Sequence, residues 1–326
     1  MIVTVTPNPS VDRTASLTGP LERGSVQRVE SVTQQSGGKG VNISRAAVAA
    51  GLPTVAVLPA DPADPFVHDL ARAGIDCRPT PASGPIRINL AITEPDGTTT
   101  KLNSPGATAD ADVLAALSQA VLRLAADATW VVLAGSLPPG APPGWYADLV
   151  TALRSSAAQV AVDTSEAPLA ALVDALPGAA PDLMKPNGHE LASFVGGHGE
   201  DLEADPVAAA AAARRLVDLG VRAVLATLGP TGAVLVTAEE SWFAPAPEVE
   251  VVSTVGAGDS SLFGYLLGDV RRLPPRDRLA RAVAYGTAAA SLPGTTIPRP
   301  DQVQPERVEV HQLPVSPAPD AVPGAR

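Results

Sequence analysis

The sequence predicts an α/β fold in which a largely parallel sheet is covered by helices on both faces. Short apolar runs alternate with longer alanine-rich stretches along most of the 326 residues. The short runs have the length of strands and the longer ones that of helices. The chain is 45% hydrophobic and only 3% aromatic, so it can bury a large core that must be mostly aliphatic.

The predicted elements follow one another in alternating order. The predicted strands are Ile2–Thr6, Thr54–Leu58, Trp130–Leu133, Val160–Asp163, Asp182–Met184, Ala223–Thr227 and Ala233–Val236. The predicted helices are Val41–Ala50, Phe66–Ala73, Ala111–Ala125, Gly144–Leu153, Pro168–Ala175, Pro206–Leu219, Gly258–Gly268 and Arg276–Ala290. In such sheets ligands bind where the carboxyl ends of strands lead into helices, so polar residues in those loops are the first candidates for a site.

Two segments, Thr14–Val32 and Ile86–Leu102, break this alternation and have the pattern of extended strands with one polar face. The second contains Glu94-Pro95-Asp96-Gly97, and Asp-Gly after proline is typical of a tight turn. We expect these strands to form a small β-sheet lid within a single domain over residues 1–313. The proline-rich tail, residues 314–326, has little apolar surface to bury and is expected to be disordered.

Charge and composition exclude several classes of protein. The formal net charge is −11, whereas proteins that bind nucleic acid are usually basic, so no nucleic-acid partner is expected. The sequence has no uncharged apolar run of 18 residues and no basic leader, so neither a membrane partner nor export is expected. We therefore expect a cytoplasmic location. Only three of the 23 basic residues are lysines, Lys39, Lys101 and Lys185, which reflects either codon bias or sites that need a compact ammonium group.

The segment Ser253–Ser260 carries the strongest chemical signal. Its glycines permit a tight turn, and a predicted helix follows. The backbone N–H groups of Gly256, Ala257 and Gly258 would then point at one spot and bind an anion. Asp259 is placed to take a proton from a hydroxyl group while these N–H groups stabilise a phosphoryl group in transfer. The alternative is a glycine turn in which the aspartate only caps a helix.

A second glycine-rich segment, Ser36–Asn42, opens the predicted helix Val41–Ala50. Its spacing fits neither the Walker A loop nor the dinucleotide-binding pattern. The glycines would let a polar ligand approach the backbone, and the amide of Asn42 offers both a donor and an acceptor. A tight strand-to-helix connection without a ligand is the alternative.

A third segment, Lys185–Glu190, follows a short predicted strand. Asn187 and Glu190 are three residues apart and share one face of a helical turn. Their oxygens would suit the water shell of Mg²⁺, and they equally fit a capping box at a helix start; both interpretations can hold together. Weaker signals follow other strands, at Asp12, Gly135–Pro138, Asp163–Ser165 and Thr227–Gly232.

Taken together and in this order, these motifs closely resemble the PfkB (ribokinase-like) carbohydrate kinase family, within it most of all the bacterial 1-phosphofructokinase branch. The resemblance spans about residues 1–313. The matching segments are Thr6–Thr14, Gly37–Asn42, Gly135–Gly140, Asp163–Ser165, Lys185–Glu190 and Ser253–Ser260. The resemblance implies a ribokinase-like three-layer α/β/α sandwich with a mostly parallel central sheet plus a small β-sheet lid.

It also implies a role for each matched residue. Asp259 would be the catalytic base, with Gly256, Ala257 and Gly258 as the anion hole. The residues implied to bind substrate are Asp12, Gly38, Asn42 and Ser136 for the sugar and Lys39, Arg87, Lys101 and, less directly, Arg28 for its phosphate. The residues implied to bind the nucleotide are Lys185, Asn187, Glu190, Thr227, Gly229 and Gly232, with Asn187 and Glu190 holding the metal through water.

The implied reaction transfers phosphate from ATP, with Mg²⁺, to O6 of fructose 1-phosphate, giving fructose 1,6-bisphosphate and ADP. The same chemistry on tagatose 6-phosphate or fructose 6-phosphate is the first alternative. A non-catalytic sensor of sugar phosphates is the second, although such a protein has no need of a catalytic base. The resemblance also favours a homodimer.

Overall fold

The computed structural model describes residues 1–314. The proline-rich tail predicted from residue 314 onward therefore lies, apart from its first residue, outside the described residues.

The predicted alternation of strands and helices is confirmed. The strands are β1 (Ile2–Val5), β2 (Ser10–Leu17), β3 (Val29–Gly37), β4 (Thr54–Pro59), β5 (Asp76–Thr80), β6 (Arg87–Thr93), β7 (Thr99–Asn103), β8 (Trp130–Ala134), β9 (Gln159–Asp163), β10 (Leu183–Met184), β11 (Ala223–Thr227), β12 (Gly232–Thr237), β13 (Ser241–Pro245) and β14 (His311–Leu313). The helices are α1 (Lys39–Ala49), α2 (Pro65–Arg72), α3 (Ala111–Ala125), α4 (Trp145–Leu153), α5 (Glu166–Asp174), α6 (Gly188–Val195), α7 (Gly199–Ala204), α8 (Pro206–Asp218), α9 (Ala257–Val270) and α10 (Pro275–Ala290).

The large sheet has the strand order β14-β13-β12-β11-β10-β9-β8-β1-β4-β5. Pairing is parallel from β5 through to β11, and β12, β13 and β14 extend that edge by antiparallel pairs. The sequence did not predict β5, β13 and β14. β5 is a partly exposed edge strand that contains Pro79, and β14 has only three residues, so neither carries the apolar pattern of a central strand.

Helices cover both faces of this sheet, which makes the fold the predicted three-layer sandwich. Successive residues of β1 point to opposite faces, because side chains alternate along a strand. Ile2 packs with the core that α1, α9 and α10 cover, and Val3 packs with the core under α3, α4 and α8. The carboxyl ends of the parallel strands are thus held at one rim of the layer, between two packed layers of helices.

A second, smaller sheet has the order β3-β2-β6-β7. Its central pair, β2 and β6, is parallel, and the two outer pairs are antiparallel. The first predicted lid segment is longer than expected at both ends and is interrupted by the connection from residue 18 to residue 28. The turn predicted in the second segment is present: Glu94 N donates to Thr98 O at 2.9 Å, and Gly97 has a φ of 90°.

The two faces of the small sheet differ in character. Register places Asp12, Asn89 and Asn103 side by side on one face, and Lys101 lies two residues from Asn103 on that same face. The opposite face is largely apolar. Four of its side chains are well exposed, namely Val29, Val32, Ile88 and Leu102.

Candidate active site

The motifs singled out in the sequence meet at the carboxyl ends of the parallel strands. Each follows or ends a neighbouring strand: Thr6 follows β1, Gly135 follows β8, Asp163 ends β9, Lys185 follows β10 and Thr227 ends β11. The amino termini of α1 and α9 join them from one covering layer. One hydrogen bond ties these two helices together, from Asn42 Nδ2 to Asp259 Oδ2 at 2.8 Å.

Asp259 lies in the first turn of α9 and is 7% exposed. Burial raises the pKa of its carboxyl group to about 6, and the nearby Asp163 carboxylate adds to this. The ammonium groups of Lys39 and Lys185 and the amide of Asn42 act in the opposite direction but do not cancel it. A carboxylate with a pKa close to neutrality can both stay ionised at physiological pH and accept a proton from a reacting group.

The turn before α9 presents unpaired backbone amides. Gly256 has a φ of 80°, a left-handed conformation that favours glycine. Within residues 1–314, the amides of Gly256, Gly258 and Asp259 donate to no acceptor, while Ala257 N donates to Thr254 O at 3.4 Å. The amides of Gly256 and Gly258 are therefore free to donate to a ligand, and the amide of Ala257 is partly engaged in the turn. Binding of an anion at this turn stays a prediction.

Two lysine side chains meet at one buried carboxylate beside this turn. Lys39 Nζ donates to Asp163 Oδ1 at 2.7 Å, and Lys185 Nζ lies 3.4 Å from Asp163 Oδ2. Asp163 is 1% exposed. Burial acts to raise the pKa of Asp163, but Lys185 and Lys39 outweigh it, so the pKa lies below its ordinary value. The pKa of Lys39 is raised, because Asp163 and Asp259 together outweigh its burial.

Lys185 also reaches the amide cluster. Its Nζ lies 3.3 Å from the position that a Cβ on Gly258 would occupy. Lys185 is 5% exposed, so this charge is held in a site with little water. Sequence reasoning attached Lys185 to the nucleotide but assigned no role to Asp163, because a single aspartate at a strand end is a weak signal.

On the side of the small sheet, Asp12 is held by its neighbours. Ser10 Oγ donates to Asp12 Oδ1 at 2.8 Å and Asn89 Nδ2 donates to the same atom at 3.2 Å. Burial raises the pKa of Asp12 despite these bonds and the Arg87 charge. A Cβ at Gly37 would collide with Asp12 Oδ2, so the carboxylate lies directly against that glycine. Sequence reasoning missed Asn89, whose Oδ1 is buried without a partner in the described residues.

Gly38 and Asn42 border the same space from α1. Gly38 has a φ of 116°, and a Cβ there would collide with the Thr6 side chain, so only glycine lets the start of α1 approach β1 this closely. Asn42 Oδ1 is buried and has no partner within residues 1–314, although Nδ2 is engaged with Asp259. A buried amide oxygen without a donor is costly unless a ligand supplies one.

The predicted phosphate-binding cations occupy different positions on the small sheet. Arg87 Nη1 donates to Ser104 O at 3.1 Å and Nη2 donates to Ser136 Oγ at 3.4 Å, so Arg87 links the small sheet to the loop after β8. Lys101 is exposed on the edge strand β7, on the same face as Asp12. Arg28 is exposed in the connection between β2 and β3 and makes no hydrogen bond or ion pair with the described residues.

Asn187 and Glu190 form the predicted capping box at the start of α6. Glu190 N donates to Asn187 Oδ1 at 2.8 Å and Asn187 N donates to Glu190 Oε2 at 2.9 Å. The other carboxylate oxygen, Oε1, accepts no hydrogen bond in the described part of the chain. Glu190 also contributes to the raised pKa of Lys39, so its charge is close enough to act on that ammonium group.

This carboxylate fits a hydrated metal ion better than a closed metal cage. Residues 1–314 contain no group of three or more His, Cys, Asp or Glu side chains able to hold a metal. Mg²⁺ commonly keeps several waters and is bound by one or two carboxylates together with substrate phosphates. Glu190, with one oxygen fixed by the cap and one open, has the donor set for that mode of binding.

The remaining predicted nucleotide residues lie around the loop after β11. Thr227 N donates to Pro186 O at 3.0 Å, which joins this loop to the start of α6. Gly229 has a φ of 54° and lies next to Glu203. Gly232 has a φ of 127°, and a Cβ there would collide with Ala244 O, so the packing of β12 against β13 already requires glycine.

Among the described residues, no helix combines the length and apolar character that crossing a membrane requires. The cytoplasmic location stays a prediction.

Free amides at a helix start, two ammonium groups and a buried carboxylate close to neutrality are the groups that transfer of a phosphoryl group requires. Comparison with known proteins agrees with this class. The model of the pfkB family carbohydrate kinases matches residues 5–302, and the chain belongs to this family. It is an ATP-dependent sugar kinase.

Individual relatives also support assignment to this family. The chain is 35% identical over 286 residues to a 1-phosphofructokinase of Xanthomonas campestris pv. campestris, covering 86% of this chain and 88% of that one. It is 34% identical over 310 residues to a 1-phosphofructokinase of Rhodobacter capsulatus, covering 93% and 94%. A crystal structure of phosphofructokinase-2 from Escherichia coli in complex with substrates and products superposes with a TM-score of 0.84 at 30% identity, covering 92% and 96%.

Proposed function

We propose that the protein transfers the γ-phosphoryl group of ATP to O6 of fructose 1-phosphate. The observation that carries the reaction type is Asp259, a buried carboxylate with a pKa of about 6 at the start of a helix with free amides. The observation that favours this acceptor is the agreement of curated relatives, which are named 1-phosphofructokinase at 33–35% identity.

In the proposed reaction, the O6–P bond forms as the bond between the γ-phosphorus and the bridging oxygen of ADP breaks. The proton of the O6 hydroxyl goes to the Asp259 carboxylate, which Asn42 orients. The amides of Gly256 and Gly258, and Ala257 as the turn releases it, would stabilise the oxygens of the phosphoryl group. Mg²⁺, when bound through Glu190 and Asn187, would neutralise charge on the nucleotide phosphates.

We propose that the sugar lies between α1 and the small sheet. Asp12, Gly38 and Asn42 border that space, and the unpaired oxygens of Asn42 and Asn89 would each accept a hydrogen bond from a sugar hydroxyl. We propose that the sugar's own phosphate is bound by Arg87, which donates to Ser136, and by Lys101 on the polar face of the small sheet. Arg28 would lie further from the phosphate. A chain with a net charge of −11 needs such local cations to admit an anionic substrate.

We propose that the nucleotide lies on the other side of Asp259. Lys185 and the capping-box residues Asn187 and Glu190 face its phosphates, and Thr227 and Gly229 border it through the loop after β11. Gly232 sits at the base of that loop. Lys39 was assigned to the sugar's phosphate from the sequence, but its ion pair with Asp163 favours a place beside the phosphoryl group in transfer.

The deciding experiment is an ADP-release assay on fructose 1-phosphate, fructose 6-phosphate and tagatose 6-phosphate, each with saturating ATP and Mg²⁺. We expect fructose 1-phosphate to have by far the highest kcat/KM. Protein carrying Asp259→Asn, purified in parallel, controls for contaminating kinases. A higher kcat/KM on fructose 6-phosphate would make that sugar phosphate the preferred acceptor, and no turnover on any of the three would favour the non-catalytic sensor.

We also propose a homodimer in which the second copy covers the apolar face of the small sheet. Val29, Val32, Ile88 and Leu102 are 40–55% exposed there, and contiguous exposed apolar surface often marks an interface. Sedimentation analysis of the wild type and of Leu102→Glu tests this. We expect the substitution to give monomers, and an unchanged dimer would place the interface elsewhere.

A further inference from the structure

Asp163 is a buried charge for which the proposed reaction, as described so far, has no use. It ends β9, is 1% exposed, and is shared by two ammonium groups that come from separate parts of the chain. Lys39 is the first residue of α1, and Lys185 follows β10. Oδ1 accepts a hydrogen bond from Lys39, and Oδ2 is in an ion pair with Lys185 but accepts no hydrogen bond from the described residues. Because the carboxylate is shielded from solvent and lies between two ammonium groups, it is poorly placed to exchange a proton with a substrate.

Its two partners are well placed to touch a substrate. Lys185 Nζ lies beside Gly258, at the amides that start α9. The Lys39 side chain is 35% exposed, and its charge acts on both Asp259 and Asp163. One rigid carboxylate therefore sets where two flexible cations point, on the same side as the proposed anion hole.

The carboxylate of Asp259 competes with that of Asp163 for the two lysines. Asp259 is the other aspartate whose charge acts on Lys39, and Lys185 acts on Asp259 as well. An ammonium group released from Asp163 would be drawn toward Asp259, where an ion pair would make the base weaker and occupy the place of the acceptor hydroxyl. A second carboxylate that holds both lysines avoids this.

We propose that Asp163 is a positioning residue that holds Lys39 and Lys185 toward the phosphoryl group in transfer and keeps both from pairing with Asp259. This inference rests on the proposed kinase function. It extends that function by assigning the two lysines to the transferred group and by explaining how a base can work beside two cations.

The charges around Asp259 determine in which direction its pKa should change when Asp163 is replaced. The groups that face it are Lys39 and Asn42 from α1, Asp163 from β9 and Lys185 from the loop after β10. Of these, Asp163 alone raises the pKa of Asp259, and the other three lower it. Replacing Asp163 with a neutral residue of the same shape should therefore lower the pKa of Asp259, both directly and because the lysines are released.

The test compares Asp163→Asn with the wild type. We expect kcat to fall roughly 10²-fold, as for a misplaced catalytic group. The KM for MgATP should not rise, because the lysines keep their charge and lose the carboxylate that partly neutralised them. The acid limb of kcat/KM should move to lower pH. The phosphate of the substrate also titrates near pH 6, so the shift between the two proteins is the readout.

A measurement without substrate separates this inference from the proposed function. The carboxyl pKa of Asp259 is followed by NMR in protein with ¹³C-labelled aspartate, and its signal is assigned by its absence in Asp259→Asn. We expect a lower value in Asp163→Asn. If the wild type phosphorylates no sugar phosphate, the proposed function fails while this titration still decides the electrostatic role of Asp163.

Asp269→Asn is the matched control. Asp269 lies at the far end of α9, is largely but less completely buried, with a side chain that is 11% exposed, and is paired with Arg278 at 2.6 Å. Its loss should lower stability without moving the Asp259 titration. If Asp163→Asn behaves like this control, with an unchanged Asp259 pKa and kcat reduced only as far as stability is, Asp163 is a structural brace and the proposal is overturned.

Lys39→Met covers the case in which Asp163→Asn does not fold. The Lys39 side chain is partly exposed, so this variant should fold, and because Lys39 lowers the pKa of Asp259 the titration should move up. An unchanged titration would overturn the proposal. If Asp163→Asn does fold, a double variant with Asp163→Asn and Lys39→Met tests whether the two residues act together. If its loss in kcat equals the product of the two single losses, Asp163 does not act through Lys39.

Discussion

Replacing Asp259 with asparagine should remove most of the activity while making the protein more stable at neutral pH. The amide keeps the size of the carboxylate and its contact with Asn42. It cannot accept the proton of the acceptor hydroxyl, and a general base typically contributes about 10²–10⁴-fold to the rate. We expect a loss in kcat toward the lower end of that range, because proton removal can be late in a loose phosphoryl transfer.

The stability change follows from the raised pKa. The pKa of about 6 in the folded chain exceeds the ordinary aspartate value of 3.8 by about 2, which corresponds to a cost on the order of 3 kcal/mol for the ionised carboxylate. Because the folded chain holds this proton more tightly than the unfolded chain, the cost is absent well below pH 4 and complete above pH 6. Roughly half of it, on the order of 1–2 kcal/mol, should appear between pH 5 and pH 8.

The assay is urea unfolding of both proteins at pH 5 and pH 8, together with single-turnover transfer when both substrates are saturating. Asp259→Asn should gain stability relative to the wild type as the pH rises. A stability difference that is the same at both pH values would refute the raised pKa. A transfer rate within about threefold of the wild type, well short of a general-base contribution, would show that Asp259 only caps α9 and would make Asp12 the next candidate.

Four further substitutions probe other parts of the site and the fold. Arg87→Ala and Lys101→Ala should raise the KM for sugar phosphate much more than the KM for ATP, because uniform binding is lost while kcat is spared; the reverse pattern in steady-state kinetics would exchange the two pockets. Glu190→Gln should raise the Mg²⁺ concentration needed for half-maximal rate, and an unchanged titration would leave Glu190 as a helix cap alone. Trp130→Phe should destabilise the protein by roughly 1–3 kcal/mol with kcat unchanged, because Asp269 Oδ2 loses a partly buried hydrogen bond of 2.9 Å from Trp130 Nε1; equal stability in urea would show that this bond contributes nothing.

The order of elements and the rim that carries the candidate site could be predicted because both depend on local patterns. Apolar runs such as Val160–Asp163 define central parallel strands, and polar residues at their carboxyl ends must share one rim. The glycine turn before Asp259 and the capping box at Asn187 are likewise local, and both are present in the predicted geometry.

Contacts between distant segments could not be predicted in this way. Lys39 and Asp163 are 124 residues apart, and their ion pair depends on the packing of α1 against the rim of the large sheet. The partnership of Asn89 with Asp12 depends on the register between β2 and β6, which no pattern in either strand specifies. Edge strands such as β14 are also hidden, because a three-residue pairing leaves no periodicity.

Two glycines, Gly37 at the site and Gly106 in the segment between β7 and α3, leave no room for a side chain because a polar side chain already fills the space. A Cβ at Gly37 would meet Asp12, and one at Gly106 would meet Asn8. In related sequences, each of these glycines and its polar partner should be inherited as a pair, since a larger residue at the glycine becomes tolerable only after the partner has become smaller. Ancestral sequences that lack one member should lack the other as well.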